Sequence, residues 1–521
     1  MVDISITKLN ESFIHVLCTE VHMEMEIQDR FSFEVKDAKY DPRVRSGRWD
    51  GIKRLYNRLH KRMYTGLLFD LLKFIKKQGY TYSVAPELLA YSNVELDDIK
   101  HVCEELIKPH DNGNPVTLYD YQYDAVHYML NMNRTICLAA TSAGKSLSIY
   151  AAIRMYQLSD DFIGKKILVV VPSKMLVEQL YSDFENYSTY EGSNWNVASH
   201  CQRFSGDHKA QIKNQIVITT WQSLKNIPNY MITDAGAIFV DEAHTIKGPI
   251  LAGFLESAVN CKVRHGLTGT LNDFEADELS AQGLLGPAKR IVSAREIIDA
   301  GRATDVAVNM IVLDYDLDTK RRYAADQMNV PAARSSLKYN SEVNFINNLE
   351  CRKKLINDIA LKLSGNTIIL FDRVEDYGIK LYEDMKLIHD KTYLIVGDVD
   401  INERVDIKNA LETETGSIVY ATSSIMATGV SIKNLHNIIF ASSSKSKVRV
   451  LQSIGRLMRL HDSKKVAQLI DLVDKLDHKG NANFTLKHCE ERIKFYSREQ
   501  YKLNFMTMNL VEQLPGTVTL M

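Results

Sequence analysis

The chain has 521 residues, 45% hydrophobic and 25% charged, an ordinary folded-protein composition with room for about three domains. Its 64 Lys and Arg stand against 65 Asp and Glu, so the net charge is −1 and affinity for a polyanion must come from local patches. Ten Pro and 25 Gly exclude a collagen-like or largely disordered chain, and seven scattered Cys without a C-x-x-C pair argue against a disulfide framework or zinc ribbon. No apolar run reaches the ~20 residues of a membrane span. The opening MVDISITKLNESFIHVLC has no basic stretch ahead of an apolar one, so no signal peptide is expected. A cytoplasmic protein without a membrane partner is the expectation.

Residues 1–90 begin with short alternating segments, such as Phe31-Ser-Phe-Glu-Val35, that read as strands. A basic loop follows, then a helix at about 66–78, with Leu67, Leu68, Leu71, Leu72, Phe74 and Ile75 on one face and Gly79 past its end. This predicts a small α+β module. Over 91–300, apolar runs alternate with helical stretches: Lys166–Val171, Ile216–Thr220, Ala237–Val240 and His265–Thr268. Over 301–480 the rhythm returns at Thr367–Phe371, Thr392–Val396, Ser417–Ala421, Asn437–Ala441 and Ala467–Asp471. Continuous β-branched runs between helices predict buried parallel sheets. The fold class is therefore α/β, with two tandem parallel-sheet domains behind the α+β module. The tail, 481–521, reads as helical and then fraying.

The strongest local signal is Ala139-Ala-Thr-Ser-Ala-Gly-Lys-Ser146, between an apolar run and a helix. Gly144 allows the backbone to wrap a phosphate, and N–H groups at the helix start face the anion. Thr141, Ser142, Ala143 and Gly144 would line it, Lys145 would reach the β- and γ-phosphates, and Ser146 would ligate Mg²⁺. Ala139 and Ser142 stand where such loops commonly carry glycine. About 95 residues on, Ala237-Ile-Phe-Val-Asp-Glu-Ala-His244 reads as a buried strand ending in paired carboxylates. Asp241 would hold Mg²⁺ through water and Glu242 would polarise the attacking water. Together the two motifs predict an ATP- and Mg²⁺-dependent NTPase.

These motifs resemble motifs I and II of the superfamily 2 helicases, the DEAH-type box, and further matches follow in that family's order. Leu118-Tyr-Asp-Tyr-Gln122 resembles the element whose Gln reads the adenine edge, which implies that role for Gln122. Pro172-Ser-Lys-Met-Leu-Val-Glu-Gln179 and Thr219-Thr-Trp-Gln-Ser-Leu224 resemble motifs Ia and Ib, implying nucleic-acid backbone contacts at Pro172, Ser173 and Thr220. Thr268-Gly-Thr270 resembles motif III, implying that Thr268 and Thr270, with His244, couple the two sheets. In the second sheet, Thr367-Ile-Ile-Leu-Phe-Asp372 resembles motif IV, with Phe371 near nucleic acid or simply a core aromatic. Thr422 and Thr428 fall in a stretch that resembles motif V, as backbone and nucleotide contacts, although Ser431 and Lys433 replace that motif's usual acid and proline. Gln452-Ser-Ile-Gly-Arg-Leu-Met-Arg459 resembles motif VI. The resemblance implies two RecA-like domains, with Gln452 near the γ-phosphate and Arg456 or Arg459 as its arginine finger.

Between Arg43 and Arg62 lie Arg43, Arg45, Arg48, Lys53, Arg54, Arg58, Lys61 and Arg62, opposed within that stretch by Asp50 alone, with Trp49, Tyr56 and Tyr64 nearby. Clustered cations hold phosphates by counterion release and aromatic rings stack on unpaired bases, so this segment is expected to grip nucleic acid. It resembles the N-terminal domain of phage superfamily 2 helicases. That likeness implies 3′-to-5′ movement and work on branched DNA (Holliday junctions, forks and R-loops, the last containing an RNA–DNA hybrid) in recombination and recombination-dependent replication or repair. A monomer is expected, with single-strand-binding or recombination proteins as possible partners. Two other readings share the motifs: an ATP-gated binding or annealing protein that does not travel, and the motor subunit of a nuclease.

Overall fold

The computed structural model describes residues 2–35, 38–206, 211–271, 275–331, 335–397, 399–423, 432–442, 446–477 and 481–512, and the structural statements below concern these. Met1–Val292 forms one compact unit and Ser293–Met521 another.

The first unit opens with a five-stranded mixed sheet in the order β3-β4-β2-β1-β5: β1 (Ile4–Lys8), β2 (Phe13–Cys18), β3 (Tyr56–Asn57), β4 (Arg62–Tyr64) and β5 (Tyr82–Val84). Helices α1 (Val21–Arg30) and α2 (Leu68–Gln78) close its core. The helix expected at 66–78 is α2 with a 3₁₀ turn ahead of it, and Leu68, Leu71 and Ile75 are buried. Gly79 ends it at φ +80, a left-handed conformation in which its N–H reaches back to the Ile75 and Lys76 carbonyls.

A seven-stranded sheet follows in the order β8-β9-β7-β10-β11-β6-β12, every pairing parallel. Its strands are β6 (Arg134–Ala139), β7 (Lys166–Val171), β8 (Cys201–Phe204), β9 (Ile216–Thr220), β10 (Ala235–Asp241), β11 (Val263–Thr268) and β12 (Ala288–Val292). Strands β7, β9, β10 and β11 are buried almost throughout, as continuous apolar runs require when helices cover both faces. Helices α3 (Asp120–Met132), α4 (Lys145–Gln157), α5 (Lys174–Ser188) and α6 (Glu275–Leu285) belong to this layer.

The α+β module is welded to this sheet. Arg264 on β11 is fully buried and donates to the carbonyls of Leu255 (2.8 Å), Ala258 (2.6 Å) and Cys261 (3.1 Å) and to the Ser12 hydroxyl (2.9 Å). A Cβ at Gly66 would stand 2.0 Å from the Gln282 carbonyl oxygen, so only glycine admits the close approach of the module to α6.

The second unit holds another parallel seven-stranded sheet, in the order β15-β16-β14-β17-β18-β13-β19. Its strands are β13 (Asp305–Tyr315), β14 (Thr367–Phe371), β15 (Thr392–Ile395), β16 (Ile418–Thr422), β17 (Asn437–Phe440), β18 (Val466–Lys475) and β19 (Lys502–Leu510). Helices α7 (Glu350–Lys362), α8 (Lys447–Leu457) and α9 (Phe484–Arg498) pack with it. The tail is helical at α9, as expected, but where fraying was expected it supplies the edge strand β19. Lys502–Leu510 has one β-branched residue, Thr507, so its strand comes from pairing with β13 rather than from local preference.

Two aspartates three apart on β18 point to opposite faces. Asp471 pairs with Arg492 of α9 (2.8 and 2.9 Å) and accepts from Tyr496 (2.9 Å). Asp474 pairs with Arg352 of α7 (2.7 and 3.1 Å) and accepts from Tyr315 (2.7 Å). This interior strand thus holds a helix on each side through buried ion pairs. Removing one partner of such a pair leaves an uncompensated charge. Asp474→Ala is expected to lower the stability of the second unit by about 3–5 kcal/mol. Urea denaturation followed by circular dichroism checks this, and a loss below about 1 kcal/mol would show that Arg352 finds water or another acceptor.

Candidate nucleotide and nucleic-acid site

In a parallel sheet all strands end at one edge, and β10, β11 and β6 are consecutive neighbours. Asp241 and Glu242 follow β10, Thr268 ends β11, and the loop from Ala139 to Lys145 follows β6. Residues from three distant stretches of sequence are therefore set side by side at the carboxyl ends, where open α/β sheets bind ligands. A Cβ at Gly269 would lie 3.5 Å from Thr141 Oγ1, so the Thr268–Thr270 turn runs close beside the loop.

The loop is strained and braced. Ser142 (φ +72) and Gly144 (φ +71) both adopt the left-handed conformation, the first without a glycine's freedom. Lys145 and Ser146 open α4, whose first turn leaves N–H groups for an anion. Gln122 is 3% exposed, which excludes a solvated surface glutamine. Its Nε2 donates to the carbonyls of Ala143 (3.0 Å) and Gly144 (3.3 Å), and its Oε1 accepts from the Tyr119 N–H (2.8 Å). On the other side, Ser146 Oγ lies 2.9 Å from the Tyr187 hydroxyl. Tyr187 belongs to no motif read from the sequence, since it stands 41 residues downstream on α5.

The two carboxylates have different surroundings. Burial, with the Glu242 charge beside it, pushes Asp241 up to about 6, against the pull of Lys145. Asp241 also accepts from the Glu242 N–H (2.9 Å). Burial acts upward on Glu242 too, but His244 and Lys145 outweigh it and hold Glu242 well below the ordinary carboxylate range. His244 Nδ1 lies 3.2 Å from Glu242 Oε2 and 3.0 Å from Thr268 Oγ1. The Thr268 hydroxyl donates to the Thr270 carbonyl (2.9 Å). Glu242, at φ +53, is fixed by this chain. An acid held ionised is suited to orienting water, and one destabilised by burial is suited to a cation.

The remaining motif residues lie as follows. Pro172 and Ser173 form the turn from β7 into α5, with Ser173 Oγ capping the Leu176 N–H (3.3 Å). Thr220 is buried at the end of β9, its hydroxyl 3.0 Å from Ser223 Oγ, so its side chain stabilises the turn. In the second unit, Thr422 ends β16 and Phe371, at the end of β14, is a fully buried core residue. Gln452 and Arg456 sit on α8, with Arg456 buried, and Arg459 follows in the next turn, half-buried. Thr428 and Ser431 lie outside the described residues.

Comparison with known proteins gives the same picture. Residues 3–85 match the family described as DNA helicase UvsW, N-terminal; residues 115–273 match Type III restriction enzyme, res subunit; residues 350–461 match Helicase conserved C-terminal domain. The ATP-dependent DNA helicase uvsW of Enterobacteria phage T4 is 30% identical over 98% of this chain and 100% of its own length. The chain belongs to the UvsW family of superfamily 2 helicases. The crystal structure of T4 UvsW superposes with a TM-score of 0.51 at 27% identity, covering 97% of this chain and 99% of that one. An ATP-dependent Type ISP restriction-modification enzyme bound to DNA, 13% identical, shares the fold at a TM-score of 0.54 over 86% of this chain and 34% of its own.

In this UvsW-family chain the basic segment is not all loop, since it holds a helical turn at Pro42–Arg45 and short strands at Ile52–Arg54, Tyr56–Asn57 and Arg62–Tyr64, and it is less positive than its sequence suggests. Arg43 is bound by Asp41 (2.8 Å) and lies over the Trp49 ring (4.9 Å), and Arg54 is bound by Asp50 (2.5 Å). Glu24 of α1 takes Arg58 (3.9 Å) and Lys61. Lys53 is half-buried, and burial lowers its pKa. Arg45 and Arg48 are exposed and have no acidic partner among the described residues. The aromatic side chains are not bare stacking platforms. Tyr56 is fully buried, Tyr64 donates to Glu256 (2.5 Å), and Trp49 donates to the Ile52 carbonyl (3.0 Å).

Gly144→Ala places a Cβ 2.4 Å from Gln122 Nε2 on a backbone that disfavours alanine. The loop must lose either its brace or its shape, and nucleotide affinity is expected to fall about tenfold, as ~1–2 kcal/mol of strain implies. Titration with a fluorescent nucleotide measures it, and a change under twofold would show that the brace does not set loop geometry.

Proposed function

We propose that this chain is an ATP-dependent DNA helicase that acts on branched DNA, such as Holliday junctions, forks and R-loops, in recombination and recombination-dependent replication or repair. One observation carries the catalytic part: Lys145 lies close enough to both Asp241 and Glu242 to act electrostatically on each, at the shared edge of three adjacent parallel strands. The preference for branched DNA is supported by a likeness to a phage DNA helicase that spans the N-terminal module as well as the motor.

Each residue has a role in this reading. The N–H groups at the start of α4, with Thr141, Ser142, Ala143 and Gly144, cradle the phosphates, and Lys145 neutralises their charge. Gln122 holds the loop and, by its family resemblance, meets the adenine. The Ser146 hydroxyl and Asp241 carboxylate are hard oxygen donors of the kind Mg²⁺ selects, and a desolvated carboxylate beside a lysine suits a site that takes a cation with its phosphates. Bound Mg²⁺ would offset phosphate charge. Glu242, kept ionised by His244, orients the attacking water. Gln452, Arg456 and Arg459 are assigned to the charge that develops on the transferred phosphoryl group. His244, Thr268 and Thr270 relay the state of the loop, since their hydrogen bonds join Glu242 to the turn beside Thr141. Pro172, Ser173, Thr220, Thr422 and Thr428 are assigned to the nucleic-acid backbone. Arg45 and Arg48 are its leading contacts in the N-terminal module, with Arg43, Lys53 and Arg54 behind them. The protein works as a monomer in this reading, with single-strand-binding or recombination proteins as partners.

Two experiments test it. Glu242→Gln is expected to reduce ATP turnover about 10²–10⁴-fold and to abolish displacement of strands from forks and four-way junctions with it. Displacement that persists without turnover would fit an annealing protein and end the motor reading. Neutralising Arg45 and Arg48 together is expected to weaken DNA binding and to reduce the slope of log K against log salt by about two. An unchanged slope would remove this loop from the interface.

A further inference from the structure

We propose that Tyr187 is a positioning residue for the magnesium–nucleotide site, its hydroxyl oxygen accepting the Ser146 O–H and so turning the Ser146 lone pairs toward the cation. The inference rests on the reading of Ser146 as a metal ligand. It adds a residue that no motif of the family resemblance contains.

The geometry is specific. The two hydroxyl oxygens are 2.9 Å apart, a full-strength hydrogen bond. A hydroxyl that ligates a cation must present a lone pair to the metal and send its proton elsewhere. An acceptor behind the hydroxyl, fixed in place, selects that orientation before the metal arrives. Ligand orientation by such outer partners is a general feature of metal sites.

Tyr187 is built to stay put. It lies in the last turn of α5, with its ring 5.5 Å from that of Tyr150. The preceding residue, Asn186, is held at both ends of its side chain by a short hairpin: its Oδ1 accepts from the Asn112 N–H (2.8 Å) and its Nδ2 donates to Asp111 (2.6 Å). The same hairpin leads into α3, which carries Gln122. Ser146 and the loop carbonyls are therefore gripped by two residues whose supports are continuous in the chain.

The test uses the full chain and a fluorescent adenine nucleotide, with affinity read against Mg²⁺ concentration and in EDTA. Tyr187→Phe keeps the ring and removes only the hydroxyl. It is expected to raise the half-saturating Mg²⁺ about tenfold while leaving the EDTA affinity and thermal midpoint unchanged. Ser146→Ala is expected to shift the Mg²⁺ dependence at least as far. If Ser146→Ala shifts it and Tyr187→Phe stays within twofold, the positioning role is overturned. If Tyr187→Phe weakens binding equally with and without Mg²⁺, Tyr187 acts by packing and the proposal fails. If Ser146→Ala leaves the Mg²⁺ dependence unchanged, the metal reading of Ser146 falls and takes this inference with it.

Discussion

The pairing of β10 with β11 and of β11 with β6 is the constraint on which the site depends. Strands in a sheet lie about 4.8 Å apart, so two steps of pairing set the carboxylates and the phosphate loop about 10 Å from one another. That is the span of a polyphosphate with its cation. Parallel direction does the rest, because it brings all three strand ends to one edge. A lysine 96 residues from an aspartate then becomes its electrostatic neighbour. The buried apolar runs of these strands serve the same end. They fix register, and a slip of one residue would turn Asp241 into the core.

Holding that edge ready for a polyanion requires unfavourable local choices. Ser142 and Glu242 carry positive φ, and Asp241 is desolvated beside another acid. Each is countered by a named partner. Gln122 satisfies the carbonyls that the tight loop exposes, the His244 contact favours the ionised Glu242, and Lys145 draws on both acids. Strain gathered at one edge and compensated within a few residues of it is the pattern expected where geometry must be set before a ligand arrives.

Much of this was legible in the sequence, and the reasons can be given residue by residue. The strands at Lys166–Val171, Ile216–Thr220 and Thr367–Phe371 are continuous β-branched runs, and burial on both faces is what such runs mean. Gly79 and the leucines before it marked α2. The loop at 139–146 and the carboxylates at 241–242 were visible because their chemistry sits on a few contiguous residues. What was hidden is what depends on tertiary pairing. Strand β19 has almost no intrinsic preference for its conformation and exists through β13. Tyr187 touches Ser146 only because two helices cross, and no spacing rule reports that. The basic loop misled in another way. Counting charge between Arg43 and Arg62 omits Asp41, two residues upstream, and Glu24, which comes from a different helix. Charge is a property of surfaces, and sequence windows sample it poorly.

The weld between the N-terminal module and the first sheet gives that loop its mechanical meaning. Arg264 belongs to β11, the strand that ends in Thr268, and its guanidinium is spent on carbonyls of the motor layer and on Ser12 of the module. A fully buried guanidinium ties its acceptors together, and each lost bond to a charged donor costs about 1.5–3 kcal/mol. Gly66 against Gln282 leaves no room for sliding either. The module and the phosphate loop therefore belong to one rigid body. In the proposed reading, a DNA backbone held at Arg45 and Arg48 would be held by the same body that carries the loop at 139–146.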